Sequence, residues 1–101
     1  MPTLSLTQLG YFVAVADAGS VSRAAKRLYV SQPPLTRQIR ALEAELKTPL
    51  FIRTSRGVAL SPDGALFLGH AREILDAISR AERAMADVRA CPRDADGNIT
   101  R

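Results

Sequence analysis

The side chains best able to do chemistry cluster in Ser31-Gln32-Pro33-Pro34-Leu35-Thr36-Arg37-Gln38-Ile39-Arg40. A glutamine amide donates and accepts together, so Gln32 can bond an adenine edge in both directions. An arginine fork suits a guanine edge or a phosphate, and Arg37 lies one helical turn beyond Gln32. Pro33 and Pro34 carry no amide hydrogen and present apolar faces that suit thymine methyl groups; the plainer alternative is that they only stiffen a helix start. Thr36 and Arg40 read as phosphate contacts, although a solvated face explains Arg40 nearly as well. Gln32 also has a plain reading, as a surface glutamine.

These groups need a helix to carry them. Leu35, Ile39, Leu42 and Leu46 recur at steps of four, three and four, which places them on one buried face and leaves the polar set outside it. Ser31 is read as the N-cap, with its hydroxyl accepting from a first-turn amide, and it joins the contact set at the helix tip. The prolines are tolerable in the first turn, whose amides lack intrahelical acceptors. Thr48-Pro49 stops the helix near Lys47.

Two shorter helices precede it. Ser5 and Gln8 form a capping box, with Leu4 and Leu9 as its hydrophobic staple, and Leu9, Phe12, Val13 and Ala16 make a buried stripe up to Gly19. The first helix is thus expected at 6–18. Ser20 caps a second at 21–28, with Val21, Ala24, Ala25 and Leu28 inward. Its outer residues Ser22, Arg23, Lys26 and Arg27 read as grips on a phosphate backbone, with an idle, solvated side chain as the alternative for any one of them. Tyr29 and Val30 are expected to plug the corner before Ser31, as in a helix-turn-helix. Leu50–Arg53 and Val58–Leu60 then flank a polar turn and read as a hairpin, or wing. Arg53, Ser55 and Arg56 lie at its tip, where arginine suits a narrow, electronegative minor groove.

Ser61-Pro62-Asp63 opens a fourth helix, which runs without a breaker to about Arg89. Phe67, Ala71, Ile74, Ile78, Ala81, Met85 and Val88 are spaced 4, 3, 4, 3, 4, 3. Such a seam asks for a partner helix. Arg72–Asp76, Asp76–Arg80 and Arg83–Asp87 are expected to pair along its exposed faces. Residues 91–101 are turn-rich and charged and read as a hinge.

Composition narrows the function classes. Residues 1–56 carry eight lysines and arginines against three acids, whereas 57–101 carry six against seven, so the net charge of +4 resides with the first three helices and the wing. A basic half suggests a polyanionic partner, although a moderately basic solvated face is the commoner explanation of such a count taken alone. With one cysteine in 101 residues there is no internal disulfide or cysteine-based zinc site, which fits a reducing cytosol. No apolar run is long enough to span a bilayer, and the N-terminus shows no secretory signal. His70 has no second ligand at metal spacing, and no nucleophile sits beside a base. Neither metal, cofactor nor catalysis is therefore expected, and the balanced charge of the fourth helix argues against membrane binding.

In order and spacing, several words resemble the N-terminal DNA-binding region of LysR-type transcriptional regulators. They are Leu9-x-x-Phe12-x-x-Val15-Ala16, Gly19-Ser20, Ala24-Ala25-x-x-Leu28 and Val30 through Ile39, followed by Leu42-Glu43-x-x-Leu46, Leu50-Phe51-x-Arg53, Leu60-Ser61-x-x-Gly64 and Phe67-Leu68-x-x-Ala71-Arg72-x-Ile74-Leu75. Ser61 stands where the family usually has Thr, and Asp63 where a small residue is common. The double proline resembles the subgroup that regulates genes of aromatic-compound catabolism. The resemblance implies a mainly α fold: a winged helix-turn-helix over 1–60, a linker helix for dimerisation over 61–90, and over 91–101 the hinge and start of an effector-binding domain that is missing here. It also implies a cytoplasmic, nucleoid-associated bacterial regulator of transcription. Its partner is double-stranded promoter DNA, and it is a homodimer that forms a tetramer in the full-length protein. A small-molecule effector acts only through the missing domain. It further supports a minor-groove role for Arg53 and Arg56. The expected DNA contacts are therefore Ser22, Arg23, Ser31, Gln32, Pro33, Pro34, Thr36, Arg37, Arg40, Arg53, Ser55 and Arg56. Two rivals remain: a protein-interaction module whose basic face is only solvated, and a nucleoid-type binder with little sequence preference.

Overall fold

The computed structural model describes residues 3–90, so the expected hinge at 91–101 lies outside the described residues. Six elements follow in order: α1 (Leu6–Ala18), α2 (Val21–Leu28), α3 (Gln32–Leu46), β1 (Phe51–Thr54), β2 (Gly57–Leu60) and α4 (Pro62–Ala90). The two strands form one antiparallel hairpin. These boundaries match the periodicity to within a residue or so at each end.

Local caps account for most of the boundaries. Ser5 and Gln8 form the expected reciprocal capping box, with both bonds at 3.1 Å. At α2 the Arg23 amide donates to the Ser20 hydroxyl at 3.3 Å. Ser61 does more than cap α4. Its hydroxyl accepts from the Gly64 amide at 2.9 Å and donates to the Pro49 carbonyl at 2.7 Å, while its own amide donates to the Leu50 carbonyl at 2.9 Å. This one buried serine thus ties the start of α4 to the segment entering the wing.

The core is small and aliphatic around one aromatic hub. Phe12, Val15, Leu35, Leu42 and Leu50 are fully buried. Phe12 of α1 meets Phe51 of the wing and Phe67 of α4, each at 5.3 Å between ring centroids in tilted geometry. Three elements remote in sequence therefore converge on one ring. Ala24 and Ala25, both buried, let α2 approach its neighbours closely.

Four expectations need correction. Tyr29 does not plug the corner: it is 96% exposed, and only Val30 packs against the core. Its backbone is left-handed (φ 56), which ends α2 and turns the side chain out. Ser31 precedes α3 but makes no side-chain cap bond. Pro33 and Pro34 occupy the positions whose amides a capping hydroxyl would meet, and neither has a hydrogen to give. None of the three expected pairs along α4 forms, neither Arg72–Asp76 nor Asp76–Arg80 nor Arg83–Asp87; Arg72 Nη2 donates instead to Asp17 Oδ1 of α1 at 2.6 Å. Finally, the α4 seam divides. Ala71 is fully buried and Phe67, Leu68 and Leu75 pack against the same core, whereas Ile74 and Met85 are exposed. The first turns of α4 face their own domain because α1 supplies an apolar surface there.

Candidate nucleic-acid interface

α2, α3 and the wing enclose an open cleft of about 320 Å³ lined by Val21, Ser22, Gln32, Thr36, Arg53, Gly57 and Val58. Four of the expected contact residues thus line one concavity, though they come from three elements. Gln32 is the first residue of α3, and Thr36 follows one turn later on the same side. A second cleft of about 220 Å³ continues along α3, where Thr36, Arg40 and Arg53 meet Ile39, Glu43, Phe51 and Ile52. Arg37 and Arg40 are exposed on α3, and Leu35, Ile39 and Leu42 anchor its opposite face in the core.

The wing's pairing separates its two arginines. Phe51 lies opposite Leu60, Arg53 opposite Val58 and Thr54 opposite Gly57. Strand alternation puts Arg53 on the same face as Phe51, toward α3. Ser55 and Arg56 form the two-residue turn at the tip, where the Arg56 amide donates to Thr54 Oγ1 at 3.3 Å. Arg53 therefore belongs to the cleft, and Arg56 to the extremity.

Besides the Phe12–Phe51 packing, polar contacts on two sides dock the wing. The Val58 amide donates to the Gly19 carbonyl at 3.0 Å. Gly57 has φ +136, and a Cβ there would collide with the Gly19 carbonyl oxygen, so both conformation and space call for glycine. On the α3 side, Glu43 Oε2 accepts from the Leu50 and Phe51 amides at 2.7 and 3.3 Å. Glu43 thereby links α3 to the first strand of the wing. From the sequence Glu43 reads only as an acid within Leu42-Glu43-x-x-Leu46, because the amides it meets lie seven and eight residues away and are brought to it by the fold.

Other contact candidates are engaged within the domain. The Ser22 hydroxyl is 3.0 Å from that of Ser20, and Arg23 Nη1 donates to the Ala18 carbonyl at 3.5 Å. Pro33 is exposed and Pro34 half-buried at the tip of α3, and the Ser31 hydroxyl is exposed there. His70 is exposed and lines a shallow apolar groove with Leu46, Leu50, Leu66 and Phe67. Among the described residues, no group of three His, Cys, Asp or Glu side chains is placed to hold a metal ion. Among the described residues, no helix is long and apolar enough to cross a membrane.

The same arrangement recurs in known proteins. The chain is 51% identical over 80 residues to the HTH-type transcriptional regulator TfdT of Cupriavidus pinatubonensis, covering 79% of this chain and 35% of that protein. It is 49% identical over 87 residues to the HTH-type transcriptional regulator TcbR of a Pseudomonas species, covering 85% and 30%. The chain thus spans about a third of the length of these relatives. Among solved structures, a complex of the CbnR DNA-binding domain with DNA is similar at a TM-score of 0.77 and 49% identity, over 83% of this chain and 98% of that one. A complex of the BenM DNA-binding domain with catB site 1 DNA is similar at 0.81 and 37%, over 85% and 97%. Residues 6–65 match the model of the bacterial regulatory helix-turn-helix proteins, lysR family. With its capped helices, its docked wing and that match over more than half its length, the chain belongs to the lysR family of bacterial helix-turn-helix regulators.

Proposed function

We propose that residues 1–60 bind double-stranded promoter DNA in a sequence-specific manner, and that residues 61–90 join two chains into a dimer. The gathering of Ser22, Gln32, Thr36 and Arg53 around one cleft carries this reading. The two solved relatives described above are complexes with DNA, which supports it. In this reading the N-terminal end of α3 enters the major groove. Gln32 and Arg37 meet base edges, and Pro33 and Pro34 meet thymine methyl groups. Ser31, Thr36, Arg40, Ser22 and Arg23 hold the phosphate backbone. Arg56 and Ser55 at the tip enter the minor groove, with Arg53 behind them.

The rest of the assembly follows from α4. Ile74, Ile78, Ala81, Met85 and Val88 form the seam left over once Phe67 and Ala71 are used by the domain core. Paired seams set two α3 helices on successive major grooves of an imperfect inverted repeat, about one helical turn apart. The longer protein would be a cytoplasmic regulator whose output is transcription rather than catalysis. It would be a tetramer, with a small-molecule effector held by a further domain. The double proline supports genes of aromatic-compound catabolism as targets.

Selection of bound duplexes from a random pool tests this directly. The expected result is an inverted repeat with preferred bases in each half-site. Gln32→Ala and Arg37→Ala should each cost about 1–3 kcal/mol and relax preference at one base position. Equal losses on specific and random duplex would point to a nucleoid-type binder. No binding to any duplex at low salt would leave a protein-interaction module.

A further inference from the structure

Among the described residues Tyr29 is the most exposed large hydrophobic side chain, at 96%, and nothing in the core uses it. Its backbone is also unfavourable. At φ 56 and ψ 42 it holds the left-handed conformation, which glycine or asparagine adopts with far less strain than an aromatic residue. The turn itself requires that conformation, because the Tyr29 amide donates back to the Lys26 carbonyl at 3.2 Å and the Val30 amide to the Ala25 carbonyl at 3.0 Å. Neither packing nor backbone preference accounts for a tyrosine here.

Its surroundings do. Lys26 and Arg27, both exposed, precede it in the last turn of α2. Ser31, Gln32 and Pro33, all exposed, follow at the tip of α3. Tyr29 therefore stands between a pair of cations and the tip of the groove-entering helix. When that tip lies in a major groove, the turn that leads into it, with Tyr29 two residues before Ser31, lies at the groove's edge, where the phosphates run. A phenol there can donate to an anionic oxygen while its ring covers the adjoining sugar.

We propose that the Tyr29 hydroxyl donates a hydrogen bond to a backbone phosphate oxygen at the edge of the major groove, and so sets the register of α3 on the duplex. This rests on the DNA-binding reading above. Such a bond carries no base information and involves no protein cation. Its loss should weaken binding about tenfold on specific and random duplexes alike, the scale of one hydrogen bond to a charged acceptor. The salt dependence should keep its slope, since no counterion-releasing charge is removed.

The test is titration of labelled duplex by fluorescence anisotropy with Tyr29→Phe and Tyr29→Asn. Both variants should bind about tenfold more weakly with an unchanged salt slope. Tyr29→Asn should at the same time melt no lower than the parent chain, because asparagine tolerates the left-handed turn. A fold defect cannot produce weaker binding together with undiminished thermal stability. Parental affinity in Tyr29→Phe overturns the proposal, as does a loss confined to one base position. A parent chain that binds no duplex would instead sink the underlying DNA-binding reading.

Discussion

Ser31 shows how a residue can hold the right position for one role and be chemically unable to fill it. It precedes α3 with extended backbone (φ −79, ψ 158), as an N-cap should, yet its hydroxyl has no amide to accept from. The two prolines that follow remove those donors while presetting the helical φ. The hydroxyl is thus left for an external partner. Ser31→Ala should therefore change unfolding free energy by less than about 0.5 kcal/mol in urea titration, against about 1 kcal/mol for Ser20→Ala, whose hydroxyl caps α2. A loss at Ser31 equal to that at Ser20 would contradict the geometry. Glu43 is the complementary case. It lies on the recognition helix among candidate contacts, but its carboxylate faces inward to the Leu50 and Phe51 amides.

At the scale of elements, the wing is the least self-sufficient part. A two-stranded hairpin of four-residue strands is marginal by itself. It stands because three neighbours hold it: the Gly19 carbonyl, the Glu43 carboxylate and the Phe12 ring. Gly57 is where the first of these is most sensitive. Gly57→Ala should cost about 1–3 kcal/mol, since the left-handed φ and the clash with Gly19 act together. The helical circular dichroism should remain largely intact, because the helices cap and pack without the wing tip. In the DNA-binding reading, the same variant should lose preference for A·T-rich flanks while keeping that of the helix-contacted bases.

At the scale of the whole molecule, α4 packs on its own domain over only part of its length. Its 29 residues extend roughly 40 Å, and only the first turns meet the domain. Gly64, Ala71 and the Arg72–Asp17 bridge fix the direction in which it leaves. An exposed bridge of this kind contributes little stability, so the buried contacts of Gly64 and Ala71 do most to set that direction. The two halves of the seam should respond differently to the same substitution. Ala71→Asp buries a charge in the core and should unfold the domain. Ile78→Asp should leave the fold intact, give monomers in sedimentation and weaken operator binding. A dimer unchanged by Ile78→Asp would remove that residue from the interface.

Much of this was legible in the residues alone because the determinants are local. Capping at Ser5 and Ser20, helical periodicity through Leu35, Ile39 and Leu42, and the polar turn at Ser55-Arg56 each act within a few residues. Boundaries and element types follow from such short-range preferences. What only the tertiary structure decided involves choices between partners. Arg72 pairs with Asp17 rather than with the expected Asp76, and Phe67 and Ala71 pack on α1, although their spacing suits a partner helix equally well. Tyr29 could pack or project, and Arg53 could lie at the tip or in the cleft. In each case both options satisfy the same local pattern. They are separated by which remote surface lies within contact distance in the closed fold, and that depends on how the three helices close around Phe12.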